Sequence, residues 1–167
     1  NPAKPGIFIA NHQSHIDLLA IPWIDERIVV LGNKWVYNNP VYGLMLRTAG
    51  YIPGFKDLAL VEKLTARRIQ QKCSVLIFPE GSRSYDANIR RFHKGAFYLA
   101  EKLQLPIYPV LMHGFSDILT KGEQHIKPGT GTMRLLPPIT PVPTQPRRVF
   151  SGDTGEIMFS DIRSLLR

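Results

Sequence analysis

The chain has 167 residues, 21 Lys and Arg against 13 Asp and Glu, and a formal net charge of +8. With 44% hydrophobic and 20% charged residues it is not a disordered polyelectrolyte, and its length fits one domain around one core. A single cysteine excludes an internal disulfide framework and a four-cysteine zinc site.

Ile7–Ala10, after Pro5-Gly6, reads as a buried strand that gives way to the polar loop Asn11–His15. A helix is predicted from about Asp17, an acid at its positive end. Arg27–Leu31 is a β-branched run closed by Gly32-Asn33, a turn signal. Pro40 opens a helix over Val41–Thr48 that Gly50 stops. Tyr51–Phe55 is a weak extended segment interrupted by Pro53 and Gly54.

Asp57 to Gln71 reads as an amphipathic helix with Leu58, Leu60, Val61 and Leu64 near one face. Cys73–Phe78 is a buried strand ended by Pro79, in which Cys73 is a small core residue rather than a thiolate. Phe92–Leu103 is predicted helical, Leu105–Met112 a strand, and His113–Gly129 a loop. Thr132–Leu136 is a further strand, Pro137–Pro146 a proline-rich strap, and Glu156–Leu166 a closing helix. The apolar and proline run that includes Pro106–Met112 is far short of the roughly 18 residues that span a bilayer. The alternation predicts an α/β layered fold with a largely buried sheet, in one domain over residues 1–167.

P-loop, G-x-S-x-G and H-E-x-x-H patterns are all missing. Two clusters follow predicted strands, where α/β proteins place ligands: Asn11-His12-Gln13-Ser14-His15-Ile16-Asp17 and Phe78-Pro79-Glu80-Gly81-Ser82-Arg83-Ser84. If the first loop curls back, Asp17 can hold one nitrogen of His12 and turn the other toward a substrate, as a general base requires. The same residues also permit a metal site of His12, His15 and Asp17, or a merely solvated loop. Glu80, Gly81, Ser82 and Arg83 combine a turn, a hydroxyl and a guanidinium suited to a phosphate, against the plainer reading of a surface ion pair.

Taken together, the blocks N-H-x-S-x-x-D at Asn11–Asp17 and F-P-E-G-S-R-S at Phe78–Ser84 resemble those of the glycerolipid acyltransferase superfamily, which includes 1-acyl-glycerol-3-phosphate acyltransferases. Gly50-Tyr51-Ile52-Pro53-Gly54-Phe55-Lys56 stands where the family carries a glycine-rich stretch ending in arginine, so Lys56 keeps the charge and loses the planar fork. Similarity extends from about Ile7 to Ile139.

The resemblance implies a glycerol-3-phosphate acyltransferase-like α/β fold, a mixed central sheet flanked by helices, and an O-acyltransferase of phospholipid synthesis. A fatty acyl group would pass from a thioester donor, acyl-CoA or acyl carrier protein, to a hydroxyl of a lysophospholipid or glycerol phosphate acceptor. His12 would be the general base, oriented by Asp17, with Glu80, Gly81, Ser82, Arg83 and Lys56 at the acceptor. No metal and no cofactor besides the donor is implied. The expected partners are the two substrates and an anionic membrane surface at the cytoplasmic face, with no nucleic acid, and a membrane-binding segment is expected ahead of the catalytic domain. Trp23, Trp35, Tyr37, Tyr42 and Phe55 are candidates for a membrane-facing edge. Two other readings stay open: a phospholipid- or acyl-thioester-binding domain without chemistry, and a metal-dependent phosphohydrolase.

Overall fold

Every residue of Ile7–Ala10 (β1) is apolar and buried, the pattern of a parallel strand covered on both faces. The computed structural model, which describes residues 4–33, 38, 43–44, 50–54, 57–83, 88–123 and 125–141, places β1 inside a six-stranded sheet. The other strands are β2 (Ile28–Asn33), β3 (Ile52–Gly54), β4 (Ser74–Ile77), β5 (Ile107–His113) and β6 (Thr132–Leu135). Their order is β3-β2-β4-β1-β5-β6, parallel from β3 to β5, with β6 antiparallel to β5. This is the mixed sheet that the family resemblance implies.

Side chains alternate across the sheet with period two. Ile7, Ile9, Val75 and Ile77 face one side and pack with Val61 of α2 (Leu58–Gln70) and with Ala96, Phe97 and Ala100 of α3 (Gly95–Lys102). Phe8, Ala10 and Leu76 face the other. They meet Ala20 of α1 (Asp17–Ala20), Ile21 of the 3-10 turn that follows it, and Phe115 of α4 (Phe115–Ile118). Asp57 caps α2, its carboxylate accepting the N–H groups of Ala59 and Leu60. Among the described residues no helix is long and apolar enough to cross a membrane.

Four segments depart from the sequence expectations. Gly32-Asn33, read as a turn, continues β2, because both residues pair with Pro53 and Gly54 of β3. A Cβ on Gly32 would collide with the Tyr51 hydroxyl, so the glycine serves close packing rather than a turn. The third helix begins at Gly95 and not at Phe92. Its would-be first turn is drawn onto the loop after β4 instead, where the His93 N–H donates to Pro79 O at 2.7 Å. The segment 113–129 is not all loop but holds α4, which opens on Gly114 at φ 80°. The proline-rich strap returns to the sheet at Ile139, whose N–H and C=O each bond to Ile107 at 2.8 Å.

Of the predicted helix over Val41–Thr48, Gly43 and Leu44 are described and are helical. The predicted helix Glu156–Leu166 lies outside the described residues.

Candidate active site

The 68-residue register between β1 and β4 (Ile7 opposite Val75, Ile9 opposite Ile77), carried past the strand ends, sets His12 level with Glu80. Both sequence clusters therefore meet at the carboxyl ends of two adjacent parallel strands. The register with β5 (Ala10 opposite Val110) brings Asn11 beside Met112. There the Asn11 side-chain amide donates to Met112 O and accepts from Met112 N–H, both at 2.8 Å. It continues the ladder one step beyond the backbone.

The chain then turns back on Asp17. Asp17 is fully buried, and its Oδ2 accepts from Gln13 N–H at 2.7 Å, Ser14 N–H at 2.9 Å and His12 Nδ1 at 2.9 Å. A carboxylate that collects two loop amides and a ring nitrogen fixes the curled-back loop needed for a base. With Nδ1–H facing Asp17, the neutral imidazole carries its free lone pair on Nε2. The His12 ring stacks on Phe78, with centroids 4.0 Å apart and planes 20° apart, and its side chain is 17% exposed. Ser14 is buried and donates through Oγ to Leu119 O at 2.6 Å. It ties the histidine loop to the segment after α4 and is not presented as a nucleophile.

Glu80 is 5% exposed, and its two oxygens accept the N–H groups of His12 at 2.8 Å and Arg90 at 2.9 Å. Burial pushes its carboxyl above the ordinary value, opposed by those two hydrogen bonds and by the charges of His12 and Arg90. Gly81 follows in the left-handed region at φ 70°, where a Cβ would press on the His93 ring. Ser82 is exposed and accepts from Arg90 Nη1 at 3.4 Å. The backbone oxygen of Arg83 takes the Lys121 ammonium at 3.1 Å. Arg83 also acts on His15: burial first, then the charges of Arg83 and His12, hold His15 below its ordinary value, with Asp17 opposing. His15 thus belongs to the electrostatics of the site.

Lys56, Trp35, Tyr37, Tyr42 and Phe55 lie outside the described residues, whereas Trp23 stands 85% exposed. Among the described residues no group of three His, Cys, Asp or Glu side chains is placed to hold a metal ion, His12, His15 and Asp17 included.

Fold and site together define an α/β protein whose histidine–aspartate pair sits at the carboxyl edge of a mostly parallel sheet. Residues 1–113 match the model of the Acyltransferase family, and the chain belongs to that family. It is 31% identical over 146 residues to 1-acyl-sn-glycerol-3-phosphate acyltransferase alpha of Homo sapiens, covering 83% of this chain and 51% of that protein. The beta form from the same species is 30% identical over 141 residues, covering 80% and 50%. The fold is also that of the 1-acyl-sn-glycerophosphate (LPA) acyltransferase PlsC from Thermotoga maritima, known from a crystal structure. Its TM-score is 0.76 at 19% identity, over 99% of this chain and 66% of that one. The chain spans about half the length of the curated relatives it matches.

Proposed function

We propose that the chain, read as a single catalytic domain, transfers a fatty acyl group from a thioester to the free hydroxyl of a lysophosphatidate-type acceptor. The observation that carries this reading is the 2.9 Å contact of His12 Nδ1 with the buried Asp17 carboxylate. His12 Nε2 takes the acceptor's hydroxyl proton as that oxygen attacks the thioester carbonyl. The tetrahedral intermediate collapses with cleavage of the C–S bond, and the proton on Nε2 passes to the departing thiolate. Asp17 holds the tautomer and stabilises the imidazolium formed in between. The substrate supplies the nucleophilic oxygen, so no acyl-enzyme forms, in keeping with the buried, donating hydroxyl of Ser14.

Arg83 is the group for the acceptor phosphate, through paired charge-assisted hydrogen bonds, and Gly81, Ser82 and Lys56 are assigned to the same substrate. Acyl-CoA and acyl carrier protein both satisfy the donor chemistry. The excess positive charge favours work at an anionic membrane on the cytoplasmic face, with binding to anionic vesicles that weakens steeply with salt.

A donor-by-acceptor panel on purified protein, with His12→Ala as the blank, tests the reaction. Expected are thiol release and a diacyl product only when both substrates are present, and a fall of about 10²–10⁴ in His12→Ala. Wild-type turnover in His12→Ala, or binding of both substrates without any product, would overturn the proposal.

A further inference from the structure

We propose that Glu80 is a positioning residue for His12, acting through the His12 peptide, and that it is not a ligand of the acceptor's phosphate. The inference rests on His12 being the general base. The parallel ladder between β1 and β4 ends at Ile9 opposite Ile77, and two residues further on Pro79 has no N–H with which to extend it. One residue on, the Glu80 side chain takes over, and its Oε1 accepts the His12 N–H at 2.8 Å. Its other oxygen accepts the Arg90 N–H at 2.9 Å, so one buried carboxylate joins the histidine loop, its own turn and the segment leading into α3.

Both oxygens are thus engaged by backbone donors. Contact with an anionic phosphate would also set like charges together, which disfavours Glu80 as a phosphate ligand. The same loop carries Phe78, on which the His12 ring lies. His12 is therefore held at three places: its peptide by Glu80, its ring face by Phe78 and its Nδ1 by Asp17. Two of these come from the block whose Glu80, Gly81, Ser82 and Arg83 the sequence places at the acceptor.

The side-chain chemistry is specific. Two N–H donors require two acceptors, which glutamate has and glutamine lacks. Glu80→Gln turns an NH₂ toward one of the amides, and Glu80→Asp is a methylene too short to reach both. A displacement of about 1 Å at the base lowers rate on the order of 10²-fold.

Steady-state kinetics with acyl-CoA and lysophosphatidate would compare Glu80→Gln, Glu80→Asp, Arg83→Ala and His12→Ala, with circular dichroism to check folding. Expected for Glu80→Gln is a kcat lowered about 10²-fold with acceptor KM within about threefold, and no recovery in Glu80→Asp. Arg83→Ala should instead raise acceptor KM. A second measurement uses the wild-type protein, so the test survives variants that fail to fold. Hydrogen exchange of the His12 amide should be slow and unchanged at saturating lysophosphatidate. A Glu80→Gln that raises acceptor KM as Arg83→Ala does, or a His12 amide released by the acceptor, would overturn the positioning role. Wild-type turnover in His12→Ala would instead remove the general-base reading, and the amide measurement separates the two failures because it reads the Glu80 contact without catalysis.

Discussion

Asp17→Asn preserves shape and removes charge, so it isolates what the carboxylate contributes. Oδ2 accepts three hydrogen bonds, from His12 Nδ1, Gln13 N–H and Ser14 N–H, while Oδ1 is buried with no hydrogen-bond partner among the described residues. Asparagine has to keep its oxygen toward the three donors, because the flipped amide would face them with N–H groups. Its NH₂ then occupies the site of Oδ1, buried without an acceptor. Bonds to a charged acceptor contribute about 1.5–3 kcal/mol and neutral ones about 0.5–1.5, so three bonds weaken by roughly 3 kcal/mol in all. The stranded NH₂ adds about 1–3 kcal/mol, and relief from burying a charge offsets part of the sum. A net loss near 3 kcal/mol lowers Tm by about 6–12 °C in a domain of this size.

The effect on rate is larger. An aspartate that holds a catalytic histidine's tautomer lowers kcat by about 10⁴ when made asparagine in serine proteases. The expectation here is a kcat reduced about 10³–10⁴-fold with both KM values within about threefold. Thiol release from acyl-CoA in the presence of lysophosphatidate measures it, alongside a thermal scan. A folded Asp17→Asn that keeps kcat within about tenfold of wild type would refute the reasoning, since the ring would then not depend on the carboxylate.

Asn11→Ala removes both 2.8 Å bonds to the Met112 peptide and should lower stability by about 2–3 kcal/mol, read as a lower urea midpoint at unchanged m. An unchanged midpoint would mean the side-chain amide is not part of the ladder. His15→Asn tests the electrostatics. Burial, Arg83 and His12 hold His15 below its ordinary value of 6.5, so in the window just below that value the unfolded chain binds the proton and the folded one does not. Stability therefore rises with pH across that window and is lost as pH falls through it, and His15→Asn should lose less between pH 7.5 and pH 5. Equal losses in the two proteins by urea denaturation would refute it.

The fold was largely legible because its strands are short apolar runs and α2 is strongly amphipathic. What escaped was set by partners far away in sequence. Gly32-Asn33 has the composition of a turn, and only pairing with β3 makes it strand. Phe92 and His93 have the composition of a helix start, but the His93 N–H goes to Pro79 O. In the site, His12 and Asp17 were readable as a pair because a five-residue spacing lets a loop close on itself. Asn11, Ser14 and Phe78 were quoted within the blocks, yet nothing local shows that they bond to Met112, bond to Leu119 and stack on His12. Polar residues in a run such as Asn11–Ser14 look solvated, and the reason Asn11, Gln13 and Ser14 are buried is the tertiary bonding of that loop.

The two blocks come together through the sheet. Parallel pairing keeps a constant offset, so a register set by Ile7, Phe8 and Ile9 against Val75, Leu76 and Ile77 decides what stands beside His12 beyond the strand ends. A slip of one residue would exchange Ile7 and Ile9 with Phe8 and Ala10 between two closely packed core faces, and their different shapes oppose it. It would also bring Pro79 or Gly81 level with His12, neither of which has a side-chain acceptor for its N–H. The hydrophobic core thus specifies the register, and the register delivers the carboxylate. Substitutions that loosen β4 packing, far from any substrate, should accordingly reach the reaction through the position of His12.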